Sequence, residues 1–237
     1  MSVRYTAVSW TPHKKRYDLW IAVGVLLTLA AFIGVSLAVD PAATVETLLL
    51  RGLSITAVAL LHIILAIGPL ARLDRRFLPL LFNRRHLGVT MFLLAFAHAA
   101  LATVQFHALG DTNPLVSVLG GYAGVGRGVA DVPFEPFGLV ALVILFVMAA
   151  TSHDFWLKLL GASTWKALHM GVYAAYGLML AHVGLGILQT ERSLALPIVL
   201  LCGALALLCL HVAAYVRERR FDRAGAPADG EFVPVCR

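Results

Sequence analysis

Two histidines, His169 and His182, lie inside the apolar stretch WKALHMGVYAAYGLMLAHVGLGILQ that spans residues 165–189. The stretch is long enough to cross a bilayer, which takes about 20 helical residues. An ionisable side chain at membrane depth is costly and marks a functional site, and a neutral imidazole is well suited to bind a metal. Thirteen residues separate the two histidines, or about 20 Å along a helix. One helix could therefore supply a ligand to each of two haems stacked across a membrane.

Three further histidines lie within or near apolar segments: His62, His98 and His211. Their depth can be counted from the nearest basic residues at about 1.5 Å per helical residue. Counted from Arg85, His98 is roughly 20 Å deep, and counted from Lys166, His182 is roughly 24 Å deep. This match predicts that His98 and His182 face each other and that each supplies one axial ligand to the same iron. His169 is only roughly 5 Å deep, so we expect it to bind a second haem nearer the basic face.

The partner of His169 is less constrained by the sequence. His62 lies roughly 15 Å deep and His211 roughly 9 Å. We expect His62, because it is the most deeply placed remaining histidine, whereas depth alone favours His211 and a single ligand is a third alternative. Thirteen residues also leave the two imidazoles of one regular helix roughly 140° apart. The haems must then approach from different sides, or the helix must be distorted. Three other histidines are expected to be interfacial polar residues: His13, His107 and His153.

Composition places the whole chain in the membrane class. Of its 237 residues, 60% are hydrophobic and 14% are charged, and the mean hydropathy is +0.85. The three cysteines form no CxxC pair, so neither a disulfide framework nor an iron–sulfur site is indicated. We predict an all-α, multi-pass bundle of six transmembrane helices at residues 19–39, 51–71, 87–107, 137–153, 166–188 and 194–216.

The basic residues orient this bundle. Sixteen of the 19 lysines and arginines fall on one side of the six-helix arrangement, so the positive-inside rule places both termini in the cytoplasm. Residues 1–18 are then a cytoplasmic segment, 19–216 the membrane domain and 217–237 a cytoplasmic tail. Because the positive charge clusters beside apolar spans, it indicates membrane topology and no nucleic-acid binding. We expect no internal repeat, and we expect the glycine-rich run at 120–128 to be an outer loop without a nucleotide.

Three motifs resemble those of the ferric-reductase-like transmembrane domain family and, within it, a group of bacterial haem-binding membrane subunits. The resemblance implies a six-helix b-type cytochrome of the bacterial inner membrane, with ligand roles for His98, His169 and His182. His62 lies outside this pattern, so its role rests on burial alone. The motifs are GPLAR at 68–72, RRHLG at 84–88 followed by His98, and LGASTWKALHMGVYAAYGLMLAH at 160–182.

The sequence thus favours an electron-transfer subunit over a complete enzyme. The expected cofactor is haem b, in two copies, and FMN or a quinone is expected only through a partner. A cytoplasmic flavoprotein or membrane quinol would be the donor, because the residues after helix 6 are too few to fold around a flavin. An extracytoplasmic redox protein that docks at the 108–136 connection would be the acceptor. The alternative is a transporter or proton relay without haem, and a third possibility is a structural anchor. Against a transporter, the spans lack mid-membrane acidic residues and paired Gly/Pro interruptions.

Overall fold

The computed structural model describes residues 12–120, 132–190 and 194–223. Parts of the two predicted terminal segments lie outside the described residues. So does the glycine-rich run at 120–128, except for Gly120. Within those residues every regular element is helical, as predicted. In chain order the α-helices, with one 3₁₀ turn at Arg75–Phe77 before α3, are α1 Pro12–Val39, α2 Val45–Leu73, α3 Leu78–Phe82, α4 Arg84–Phe106, α5 Pro114–Gly120, α6 Glu135–Ala150, α7 Asp154–His169, α8 Gly171–Thr190 and α9 Ala195–Arg223.

Five segments of the described chain are long and apolar enough to cross a membrane: α1, α2, α4, the α7–α8 run and α9. Their outward side chains are large hydrophobic residues such as Leu26, Phe96 and Leu208, and an apolar surface of this kind suits lipid rather than water. α6 has 16 residues, so it is about 24 Å long and shorter than the roughly 30 Å hydrocarbon core. The sixth predicted span, 137–153, therefore stays a prediction.

α2 is the centre of the packing. It packs most closely against α4 and also contacts α9 and α1, while α6 packs against α8 and α4. Side chains of α2, α4, α6, α8 and α9 meet in one buried apolar cluster of Leu61, Ile64, Leu65, Met91, Leu145, Ala175, Met179 and Leu207. This cluster fills the middle of the bundle and leaves polar groups on either side of it.

Polar pairs gather several helix ends at one end of the bundle, which we call the basic end. They join the start of α1 to α4, the end of α2 to α9, and the start of α4 to α7. The pairs are His86 with Asp18 at 2.6 Å, Arg72 with Glu218 at 3.3 Å, and Arg85 with Asp154. The helix ends that carry most of the predicted cytoplasmic charge therefore lie together.

The predicted span 166–188 is divided between two successive helices. α7 ends at His169, Met170 is a turn residue, and α8 begins at Gly171. The Met170 N–H bonds to the carbonyls of Lys166 and Ala167 at 3.0 and 3.2 Å. The two histidines therefore lie on successive helices, which is the local distortion that the sequence left open. α7 is also bent at Gly161, whose φ of 75° suits a residue without a side chain.

Candidate haem-binding site

His98 on α4 and His182 on α8 face each other, as their matched depths predict. Their ring centres are 6.5 Å apart and the ring planes are inclined at 77°. The Nδ1–H of His98 donates to the Leu50 carbonyl at 3.1 Å, and that of His182 donates to the Phe134 carbonyl at 2.9 Å. A hydrogen bond of this kind fixes the tautomer, so the lone pair is on Nε2 and is available to a metal.

The spacing of the two rings fits a shared iron. A metal–nitrogen bond is about 2 Å long and each ring centre lies roughly 1 Å beyond its nitrogen, so two imidazoles that share a metal have centres about 6 Å apart. Among the described residues, no group of three or more His, Cys, Asp or Glu side chains could hold a metal ion. Two imidazoles alone suit a cofactor that brings its own equatorial nitrogens. Haem fits this donor set.

His182 sits in a close-fitting gap beside α6. A Cβ placed on Gly138 would lie 2.6 Å from the Nδ1 of His182 and 2.7 Å from its Cε1. The ring of Phe134 lies 5.3 Å from the imidazole on another side. The position of the His182 ring therefore depends on the absence of a side chain at residue 138, a dependence that the sequence reasoning missed.

His169 is held in a stack near the basic end. Its Nδ1–H donates to the Trp165 carbonyl at 3.0 Å, and its ring stacks on the Trp165 indole at 3.8 Å and 27°. The indole N–H donates to the Thr151 carbonyl at 2.9 Å, and the Arg85 guanidinium lies 4.7 Å from the indole centre. The Nε2 of His169 is buried without a hydrogen-bond partner among the described residues. Because such groups are rare and costly, this nitrogen also suits a ligand role.

The two candidate partners of His169 are both engaged by tyrosines of α8. The Nδ1–H of His62 donates to the Val58 carbonyl at 2.9 Å, and its Nε2 accepts from the Tyr176 hydroxyl at 3.0 Å. His211 repeats this arrangement with the Leu207 carbonyl at 2.9 Å and the Tyr173 hydroxyl at 3.2 Å. For either histidine to bind iron, its tyrosine must give up the hydrogen bond.

The remaining histidines make local polar contacts. His107 is buried and hydrogen-bonded to Ser117 at 2.8 Å. His153 accepts the Phe155 N–H at 3.1 Å as the cap of α7, and His13 is exposed. The sequence analysis gave Trp165 no role at this site. Its position four residues before His169 on one helix was the signal that could have placed it against the imidazole.

Comparison with known proteins identifies the class. Residues 52–180 match the family described as ferric reductase like transmembrane component. This match covers more than half of the chain, so the chain belongs to that family, as predicted. Together with its five apolar segments, membership makes it a ferric-reductase-like, multi-pass protein of the bacterial inner membrane with a redox role.

Two similar relatives carry a more particular name, protein-methionine-sulfoxide reductase heme-binding subunit MsrQ. The chain is 42% identical over 60 residues to the protein of Polaromonas naphthalenivorans (strain CJ2), covering 25% of this chain and 27% of the relative. It is 31% identical over 137 residues to that of Caulobacter vibrioides (strain ATCC 19089 / CIP 103742 / CB 15), covering 56% of this chain and 58% of the relative. The matches thus span less than two thirds of either relative. No solved structure matches significantly.

Proposed function

We propose that this chain is a b-type cytochrome subunit that relays electrons through the membrane from a cytoplasmic donor to an extracytoplasmic redox protein. The observation that carries the proposal is the pair of facing imidazoles, His98 and His182, 6.5 Å apart, each with Nδ1–H bonded to a backbone carbonyl. The name of the relatives, which describes them as haem-binding, supports the same cofactor.

In this proposal, His98 and His182 hold one haem through their Nε2 atoms. The haem supplies a one-electron redox couple whose potential depends on its ligands and surroundings. The carbonyls of Leu50 and Phe134 fix the two ring orientations and make the imidazoles stronger ligands. The buried apolar cluster keeps water from the middle of the bundle. These groups bind and orient a redox centre, and the proposal requires no nucleophile or general base.

His169 is the proposed ligand of a second haem near the basic end, because its Nε2 is buried and without a partner among the described residues. We retain His62 as its proposed partner and His211 as the alternative. Each has an Nε2 with the lone pair in place and a tyrosine hydroxyl as the group to be exchanged. Arg85, which lies over Trp165, is close enough to the stack to favour the negative charge of a haem propionate there.

The proposed topology has six spans and both termini in the cytoplasm. The contacts of α6 support a sixth span although this helix is short. Its two ends contact groups that lie at different depths along the bundle. Phe134, before its first residue, contacts His182, and Thr151, after its last residue, accepts from Trp165 at the basic end. The basic end then faces the cytoplasm. A basic face favours an acidic donor such as a flavoprotein by raising the encounter rate, and a membrane quinol is the other proposed donor.

The proposed acceptor is the catalytic partner of a protein-methionine-sulfoxide reductase, after the name of the relatives. FMN or a quinone would enter only through such partners. The proposed docking surface is the 108–136 connection, of which the described residues include α5. Its described residues, 108–120 and 132–136, lie at the end of the bundle that holds His98 and His182, since His107 bonds to Ser117 and His182 bonds to Phe134. Electrons would therefore leave from that pair.

An absorption spectrum of the purified protein tests the central proposal. A sharp Soret band that shifts on reduction is expected, with a low-spin signal that either His98→Ala or His182→Ala removes. His107→Ala is the matched control. His107 is also a buried histidine, and among the described residues its ring is hydrogen-bonded to Ser117. Full haem content and unchanged spectra in His182→Ala would exclude the assignment.

A proton relay without haem is the second candidate function. The observation that favours it is the two imidazole–phenol pairs within the spans, Tyr176 with His62 and Tyr173 with His211. Such chains can pass protons. Proton uptake by vesicles that contain the haem-free protein, abolished by Tyr176→Phe, would favour this function. A redox-active Soret band favours the cytochrome.

A further inference from the structure

One side of α9 faces away from the rest of the bundle. Leu207 and Ala214 are its buried residues and lie against the neighbouring helices. Because each residue turns a helix by about 100°, Val212 and Val216, two positions before and after Ala214, point to the opposite side. Both are exposed, at 52% and 40%. This side of α9 therefore faces lipid.

A groove of about 560 Å³ runs along the lipid-facing side of α9. Its lining residues form two adjacent rows with a spacing of four residues, which is the direction of the ridges on a helix surface. The side chains of Cys209 and Ala213 are small and leave space beside the larger aliphatic row. The groove is thus apolar along its length, and each row ends in a guanidinium group. The rows are Leu208, Val212, Val216 and Arg220, and Cys209, Ala213 and Arg217.

The positive charge at the end of the groove is not neutralised within it. Among the described residues that line the groove, none is acidic. Glu218, which lies between the two arginines in sequence, pairs instead with Arg72 of α2 at 3.3 Å. Arg217 donates to the Leu73 carbonyl at the end of α2, so its position is fixed. Arg220 makes no hydrogen bond or ion pair within the described part of the chain, so its guanidinium is available to an anion.

The length and direction of the groove fit a phospholipid. From Leu208 to Arg220 the rows extend about 18 Å along the helix, close to the roughly 15 Å that one leaflet contributes to a hydrocarbon core of about 30 Å. The arginines lie at the basic end, where a headgroup would be. A guanidinium binds phosphate oxygens in a bidentate manner, and basic pockets at a membrane surface favour anionic headgroups. A zwitterionic headgroup would bring another positive charge beside the two arginines.

We propose that this groove binds one anionic phospholipid, with an acyl chain along Cys209 and Ala213 and the phosphodiester at Arg217 and Arg220. The occupant is a lipid rather than a soluble phosphate, because aliphatic and small side chains form most of the lining. The proposal does not depend on the proposed function, since it requires only that α9 spans the membrane. The lipid would support the contact between α9 and α2, because Arg217 joins the groove to the end of α2.

The first experiment counts the lipids that the purified full-length protein retains in native mass spectrometry. The probes are phosphatidylglycerol and phosphatidylcholine, which differ in headgroup charge. One phosphatidylglycerol should bind in preference to phosphatidylcholine. Glycerophosphoglycerol, the same headgroup without acyl chains, should not displace it. Equal retention of the two lipids, or displacement by the free headgroup, would overturn the proposal.

Arg220→Gln tests the headgroup contact. Its affinity for phosphatidylglycerol should fall about fivefold, which is the contribution of one basic residue at an anionic surface, while retention of phosphatidylcholine should not change. Arg219→Gln is the matched control, because the Arg219 guanidinium lies 5.2 Å from the Tyr215 ring and does not line the groove. An equal fall in both variants would indicate general attraction to a basic surface and would contradict a built site.

Ala213→Phe tests the acyl-chain contact with both arginines in place. The phenyl group would fill the space beside Val212, so the variant should lose its preferential binding of phosphatidylglycerol. Ala213 is exposed, so the fold should be retained. Val199→Phe is the matched control, because Val199 is exposed on the same helix and lies outside the groove. Unchanged affinity in Ala213→Phe would refute the groove.

Thermal unfolding gives a second measurement of the same contact. A ligand that binds the folded protein raises its Tm. Phosphatidylglycerol should therefore raise the Tm of the wild type and of Val199→Phe, and it should not raise the Tm of Ala213→Phe. The same increase in all three proteins would exclude the groove as the binding site.

Discussion

Replacing Trp165 with Phe should destabilise the basic end by a predictable amount. The change removes the indole N–H that donates to Thr151, a contact worth about 1 kcal/mol net. It also weakens the attraction of Arg85, about 0.5–1 kcal/mol at a partly exposed site, and part of the ring contact with His169, of similar size. Together the loss is about 2 kcal/mol. For a protein of this length this corresponds to about 4–8 °C in Tm.

The measurement is thermal unfolding in one detergent at a fixed scan rate, followed by circular dichroism. Trp20→Phe is the matched control, because Trp20 is 72% exposed and an exposed substitution changes stability by less than about 0.5 kcal/mol. In the holoprotein, Trp165→Phe should also alter the spectrum of the haem proposed at His169. The spectrum of the haem at His98 and His182 should be unchanged. If Trp165→Phe unfolds within about 1 °C of the control, the stack does not hold His169 as argued.

Three further predictions concern the inner ligand, the topology and the direction of electron flow. His169→Ala should remove one haem and preserve the outer low-spin signal. In protein that keeps His169, His62→Ala should convert the haem at His169 to a single-ligand spectrum and His211→Ala should not; the reverse result would assign His211. Reporter fusions after Arg76 and Lys158 should both give a cytoplasmic signal, and an external signal after Arg76 would overturn the six-span topology. In oriented vesicles, reductant at the basic face should reduce an impermeant acceptor on the other side; haem reduction without acceptor reduction would refute the relay.

The helices and the facing of His98 and His182 could be predicted from the sequence, because both depend on the number of residues along a helix axis. An apolar run reveals its length directly, and counting residues from Arg85 and Lys166 gave matching depths for His98 and His182. The structure brings those rings to 6.5 Å, while their ligand role stays a prediction. The side of the membrane likewise rests on charge counting alone.

Features that depend on contacts between helices could not be read from the sequence. The interruption at Met170 separates the two histidines that a regular helix would have carried together. Nothing in the local sequence showed that Gly138 lies against an imidazole 44 residues later.

The bonds of His98 to Leu50 and of His182 to Phe134 also bear on how the protein enters the membrane. His182 emerges from the ribosome 84 positions after His98, a delay of about 4–17 s at typical rates of synthesis. During that time His98 has no opposite imidazole, yet its N–H can already donate to the Leu50 carbonyl. Lipid offers no water to satisfy such a donor. Each hairpin can therefore be inserted with this donor satisfied, and the two can join afterwards without any imidazole N–H having waited unpaired in hydrocarbon.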